Sequence, residues 1–290
     1  MIRKLTLTAA IGLAVVLPAR AADLPVKVRP APPPVASWTG FYVGGQIGGG
    51  WGDRQVTYAG NDIPSANRIN GISTLPGSRP VASHGVDVSG VTGGLTAGYN
   101  WQISPNWLVG IETDFSGSGI KGSGNGTSTL QATPTFLSQT VSSEQTIDWW
   151  GTVRGRLGFL ARDDLLLFGT AGFAYGKVAV SDSYIFAGPP AAVIAVSVGG
   201  ISYSCNANVT CFSGANSSVK TGWTAGGGGE WRVAPRWTVK AEYLYVNLGS
   251  ASVIAVAGTP NAPGDRPSSY TADFGRTDFH IGRVGFNYQF

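Results

Sequence analysis

Apolar and polar positions alternate with a period of two along most of the chain. In GFYVGGQIGGGWG, Phe41, Val43, Ile47 and Trp51 fall on one face, and Tyr42, Gly44, Gln46, Gly48 and Gly50 on the other. Seven further stretches repeat the pattern: 88–101, 107–117, 146–159, 165–178, 219–233, 237–246 and 277–290. Their apolar faces carry, among others, Val91, Leu95, Val109, Ile111, Phe115, Ile147, Trp149, Val153, Leu157, Leu167, Phe173, Trp223, Val239, Ala241, Tyr243, Val284 and Phe286. Alternation over such lengths predicts half-buried β-strands. The last of them runs to Phe290 without a polar tail, although chain ends usually fray.

The segments between these strands differ in length. Those after the second, fourth and sixth strands are short, at 103–106, 161–164 and 234–236. Those after the first, third, fifth and seventh are long, at 53–86, 118–145, 179–218 and 247–276. At the amino terminus, Arg3 and Lys4 precede an apolar run from Leu5 to Leu17 and a small-x-small site, Ala19-Arg20-Ala21. This predicts a signal peptide over 1–21, cleaved between Ala21 and Ala22, because the run is too short for a permanent span. Five prolines between Pro25 and Pro34 then predict an extended tether over 22–37, outside the fold.

Composition narrows the class. Losing Arg3, Lys4 and Arg20 with the leader takes 20 Lys+Arg to 17, against 16 Asp+Glu. The resulting net charge of +1 gives no reason to expect nucleic acid as a partner. Charged residues are only 12% of the chain, yet no apolar run reaches the roughly 18 residues of a transmembrane helix. An exported chain that is rich in glycine and aromatics and alternates strictly fits a membrane-spanning barrel. The predicted fold is an all-β, eight-stranded antiparallel transmembrane β-barrel over 38–290, with four long outside loops and three short periplasmic turns. Both mature termini would be periplasmic. The aromatics Trp101 and Trp107, Trp231 and Trp237, and Tyr288 and Phe290 are expected at that membrane interface.

The polar faces carry a candidate lumen charge network: Glu112, Asp114, Asp148, Arg154, Arg156, Lys220, Glu230, Arg232, Lys240, Glu242 and Arg283. An eight-stranded barrel is only wide enough for its own side chains or one small ligand, so these charges are expected to pair. If the third turn centres on Pro235, Glu230 and Lys240 fall opposite one another. Cys205 and Cys211 lie in one outside loop of an exported chain, which predicts a disulfide. No cofactor or metal motif is present: GSGIKG at 117–122 opens no βαβ unit, and no His/Cys cluster occurs. Asp278 and His280 share a face but lack a third group, so the chain is not expected to be an enzyme.

ARAADLPVK, the proline-rich spacer, SWTGFYVGGQIGGGWG, LLLFGTAGFAYG, WTVKAEYLYVNLG and RVGFNYQF together resemble the alphaproteobacterial immunogenic outer-membrane proteins (RopB-type, porin-like) across essentially the whole mature chain. The resemblance implies an integral outer-membrane location, surface-exposed loops, and a role in envelope integrity or passive transport. The expected partners are outer-membrane lipid, the barrel-assembly machinery that reads the C-terminal aromatic, and ligands held by the outside loops. A surface-binding protein is the alternative function, and a lipid-modifying barrel enzyme a remote one.

Overall fold

The computed structural model describes residues 37–69, 81, 83–132 and 135–290. The leader with its Ala21–Ala22 site, and the tether up to residue 36, lie outside the described residues. Eight strands form a closed antiparallel ring: β1 (Gly40–Gly60), β2 (His84–Gln102), β3 (Trp107–Ala132), β4 (Thr135–Arg162), β5 (Leu165–Ala187), β8 (Thr210–Ala234), β9 (Trp237–Ala257) and β11 (Ser269–Gln289). Each pairs with the next, and β11 closes on β1 from Tyr42↔Gln289 to Trp51↔His280. The unfrayed C-terminus follows from this closure, since the Phe290 N–H donates to the Phe41 carbonyl at 3.0 Å.

The strands are longer than the sequence pattern indicated. Much of what read as long loops is strand: β3 and β4 stay paired from Trp107↔Phe159 to Ala132↔Thr135. The reason is a change in what the two faces contain. Up to the level of Trp51, Trp223 and His280, outward side chains are apolar (Ile47 64% exposed, Leu95 73%, Ile111 57%), and inward ones are polar apart from an apolar layer at each end, such as Leu108 and Leu166 at one and Leu244 and Ile281 at the other. We call this the belt half. Beyond it, in the far half, Asp53, Gln55, Asp87, Lys121, Asn125, Glu144 and Ser252 are exposed, while Val56, Val86, Val88, Val178, Val253 and Phe274 are buried inside. A polar exterior around an apolar core is what a strand needs in water, and the reverse is what it needs in lipid.

Three bulges shift the alternation between the halves. On β9 and β11 they fall at Gly249 and Gly275, whose φ values of +77° and +62° are strained for a residue with a Cβ. The Gly249 N–H donates to Asn247 Oδ1 at 2.9 Å, and the Gly275 N–H to Asp273 Oδ1 at 2.8 Å. The third lies on β4, where the pairing with β5 slips between Ile147 and Trp149.

Helix α1 (Ile63–Ile69) and a small sheet of β6 (Val193–Val198), β7 (Ile201–Asn206) and β10 (Arg266–Pro267) pack on the far half. Asp62 caps α1, accepting the Ser65 N–H at 2.9 Å. Cys205 and Cys211 are disulfide-bonded, with Cα atoms 5.1 Å apart. Both join the apolar interior beside Tyr203, Phe212 and Ile69.

Candidate functional site

The belt half closes around a buried ionic cluster. Its alternating inward positions bring Glu112 and Asp114 from β3, Arg154 and Arg156 from β4, Glu230 from β8, Lys240 and Glu242 from β9, and Arg283 from β11 to the barrel axis. Arg154 is ion-paired with Glu112, Glu242 and, at 2.9 Å, Asp114. Arg283 joins Asp114 at 3.0 Å and Glu242 at 2.6 Å. Lys240 Nζ reaches both carboxylate oxygens of Glu112, at 2.9 and 2.8 Å, and the Tyr42 hydroxyl donates to Glu112 at 2.6 Å. Arg156 pairs with Glu230, which also accepts from Thr238 and, at 3.0 Å, from Asn287. Four carboxylates face four cations with side chains no more than 3% exposed. Buried charges persist when paired and hydrogen-bonded in this way.

Three of the charges assigned to the network from sequence stand elsewhere. Asp148 sits at the β4 bulge, where the extra residue turns it out of the lumen, and it pairs with Lys177 at 3.0 Å with both side chains well exposed. Lys220 is half-buried above the cluster and has no ion pair among the described residues. Arg232 lies at the barrel end that carries Ser37 and Phe290, stacked 4.3 Å over Trp38 and donating to the Ser37 carbonyl at 3.0 Å. The Glu230–Lys240 pairing also needs correction. The two residues are opposite in register, but the long lysine stem crosses the lumen to Glu112 while Arg156 takes Glu230.

Apolar layers seal the cluster at both ends. Toward Ser37 and Phe290, Trp38, Leu108, Leu160 and Leu166 pack together, with Trp38 Nε1 donating to the Asp163 carbonyl at 3.2 Å. Sequence reasoning assigned Trp38 no such position. On the other side stand Ile120, Trp150, Leu244 and Ile281, all fully buried. Trp150 Nε1 donates to Thr92 Oγ1 at 3.1 Å. From there the far-half core continues upward through Val178, Val246 and Phe274 to the disulfide.

One polar cluster interrupts that core. Asp182 on β5 is 3% exposed. It accepts from the Ser143 hydroxyl (β4), from the Tyr58 hydroxyl (β1) at 3.3 Å and from the Tyr270 hydroxyl (β11). Tyr58 also meets Ser143 at 2.7 Å and His84 Nδ1 (β2) at 3.4 Å. Asp278 and His280 face outward in the aromatic band between the halves. Asp278 accepts from Tyr245 at 2.9 Å, and His280 Nδ1 lies 2.6 Å from the Tyr243 hydroxyl.

Rings also mark the two edges of the belt. At the end bearing Ser37 and Phe290, Tyr99 lies against Trp101, Trp107 against Phe159, and Trp237 and Phe290 against Tyr288; Trp231 donates to Asp164 at 3.0 Å. At the other edge, Trp51 stacks on His280, while Phe115 lies tilted against Trp149 and Trp223 against Tyr245.

Comparison with known proteins agrees with this architecture. The 31 kDa outer-membrane immunogenic protein of Brucella melitensis biotype 1 is 31% identical over 278 residues, covering 94% of this chain and 93% of that protein. The 22 kDa outer membrane protein of Rhizobium leguminosarum bv. viciae is 27% identical over 230 residues, covering 79% and 71%. Solved structures with a partial likeness include the attachment invasion locus protein Ail of Yersinia pestis (TM-score 0.29, 12% identity, 86% of this chain and 99% of that one). Another is the outer membrane protease OmpT of Escherichia coli (TM-score 0.39, 10% identity, 87% and 97%). Likeness at that level carries no statement about activity. The model of the outer membrane protein beta-barrel domain matches residues 9–290, and the chain belongs to that outer-membrane family.

Proposed function

We propose that the protein is a closed, non-conducting outer-membrane barrel that reinforces the envelope and displays its far half at the cell surface. The observation that carries this reading is the filled lumen. The Trp38 layer, the neutral ionic cluster, the Trp150 layer and the apolar far-half core follow one another along the axis. A pore needs a continuous wetted path, and this interior offers dry packing at three levels. Short turns and the closing aromatic Phe290 at one end support a periplasmic position for both termini. Outer-membrane lipid would surround the belt, and the assembly machinery would read the C-terminal strand. Single-channel recording in planar bilayers tests this: silence across the voltage range supports it, and discrete conductance steps refute it.

A second reading, binding through the surface half, is favoured by the capping layer. A helix, a three-stranded sheet and a disulfide hold that end in one shape, which suits recognition better than flexible loops would. Asp278 and His280, each engaged by a tyrosine hydroxyl in the aromatic band, support a structural part for that pair rather than catalysis.

A further inference from the structure

We propose that Asp182 is a proton-binding site that latches the far half of the barrel, so that this half becomes more stable as the medium acidifies. The site lies beyond the aromatic edge of the belt, outside the lipid-facing segments. Its ligands come from three other strands: Ser143 is beside Asp182 on the neighbouring wall, while Tyr58 and Tyr270 reach it across the interior. A single carboxylate therefore ties the β4–β5 wall to the β1–β11 wall.

What distinguishes this carboxylate from those in the belt is the absence of a countercharge among the described residues. Ser143, Tyr58 and Tyr270 are neutral donors. His84 reaches the cluster only through Tyr58, and Arg68 of α1 is engaged by Tyr184, the next inward residue on β5, at 2.6 Å. Hydroxyl donors suit a carboxylate, yet a buried negative charge without a cation favours taking up a proton. Burial accordingly raises the Asp182 carboxyl above the usual carboxylate range, and the three hydroxyl donors only partly offset it.

The sign of the effect follows from that direction. A carboxyl that holds its proton more tightly in the folded state stabilises the fold fully below its unfolded value of about 4. That contribution is lost as pH rises through the folded value. His84 works against the latch. Burial lowers its imidazole, so its contribution is lost as pH falls below about 6.5. The proposal does not depend on which way the barrel faces. With the orientation given above, the latch would respond to the medium outside the cell.

The test is amide hydrogen exchange on the intact, reconstituted barrel, corrected for intrinsic exchange, at pH 7.5 and pH 5. Amides at 138–144 and 178–186 should exchange more slowly at the lower pH, approaching about tenfold per pH unit where Asp182 titrates. Asp182→Asn, which resembles the protonated carboxyl, should be protected at pH 7.5 beyond the wild type and should lose the acid gain. His84→Gln should steepen that gain. Tyr270→Phe, which removes one donor to the ionised form, should move the midpoint to higher pH. An Asp182→Asn barrel that keeps the wild-type pH response, or is less protected at pH 7.5, overturns the proposal. So does an unchanged midpoint in Tyr270→Phe.

Discussion

The belt half and the far half use the same eight strands and the same period of two, yet they are built inside out relative to each other. In the belt, Ile47, Leu95 and Ile111 face outward and eight paired charges fill the axis. In the far half, Asp53, Asn125 and Glu144 face outward, Val56, Val178 and Phe274 fill the axis, and the buried Asp182 has hydroxyls rather than cations for company. The medium outside decides which face must be apolar. Hydrocarbon leaves the polar residues to the interior, where they must neutralise one another, and water allows an ordinary hydrophobic core.

The largest expected effect that separates the halves lies in the ionic cluster. Lys240→Met should destabilise the barrel by about 3–5 kcal/mol in urea unfolding from lipid, because it leaves a buried carboxylate short of its cation. Adding Glu112→Gln should recover more of the loss than adding Glu230→Gln, since Lys240 bonds to Glu112. Better recovery with Glu230→Gln would restore the simple cross-strand pair and break the cluster described here.

Outward substitutions should come next. Ala241→Arg in the belt puts a charge into hydrocarbon and should cost about 2–4 kcal/mol near the midplane. Ser252→Arg, outward on the same strand in the far half, should stay within about 0.5 kcal/mol, as surface substitutions usually do. Equal costs would mean that the boundary between the halves lies elsewhere. A smaller effect is expected at the bulges. Gly275→Ala must adopt a φ of +62° and should cost roughly 1–2 kcal/mol. Gly45→Ala is the control: its Cβ would meet nothing nearer than the Gly94 carbonyl oxygen at 4.0 Å, and its unfolding curve should barely move.

The sequence made the belt half legible because its apolar face is so distinct there. Strand positions, the three short turns and most inward charges follow from the alternation alone. The far half was read as loops because Gly, Ser, Thr and Asn on its outer face mask an alternation that continues inward through Val86, Val178, Val180 and Val253. The bulges had a signal too. Asn247-Leu248-Gly249 and Asp273-Phe274-Gly275 share an Asx two residues before a positive-φ glycine, which is turn chemistry placed inside a strand. Asp148 was misassigned for want of the third bulge, which slips the pairing on that strand by one residue. The partner of Lys240 could not be read from register, because a four-carbon stem spans the lumen of so narrow a barrel.

The central claim is that water is excluded from the axis while it bathes the far half's exterior, and thiol accessibility tests it most directly. The two native cysteines are bonded to each other. Single cysteines can therefore be introduced at Ser116, buried inside β3 at 2% exposure, and at Ser123, exposed seven residues further along the same strand. With a charged, membrane-impermeant thiol reagent on the folded barrel, Ser123→Cys should label at once, while Ser116→Cys should stay unlabelled until the protein is boiled. Labelling of both positions at comparable rates in the folded state would contradict the account.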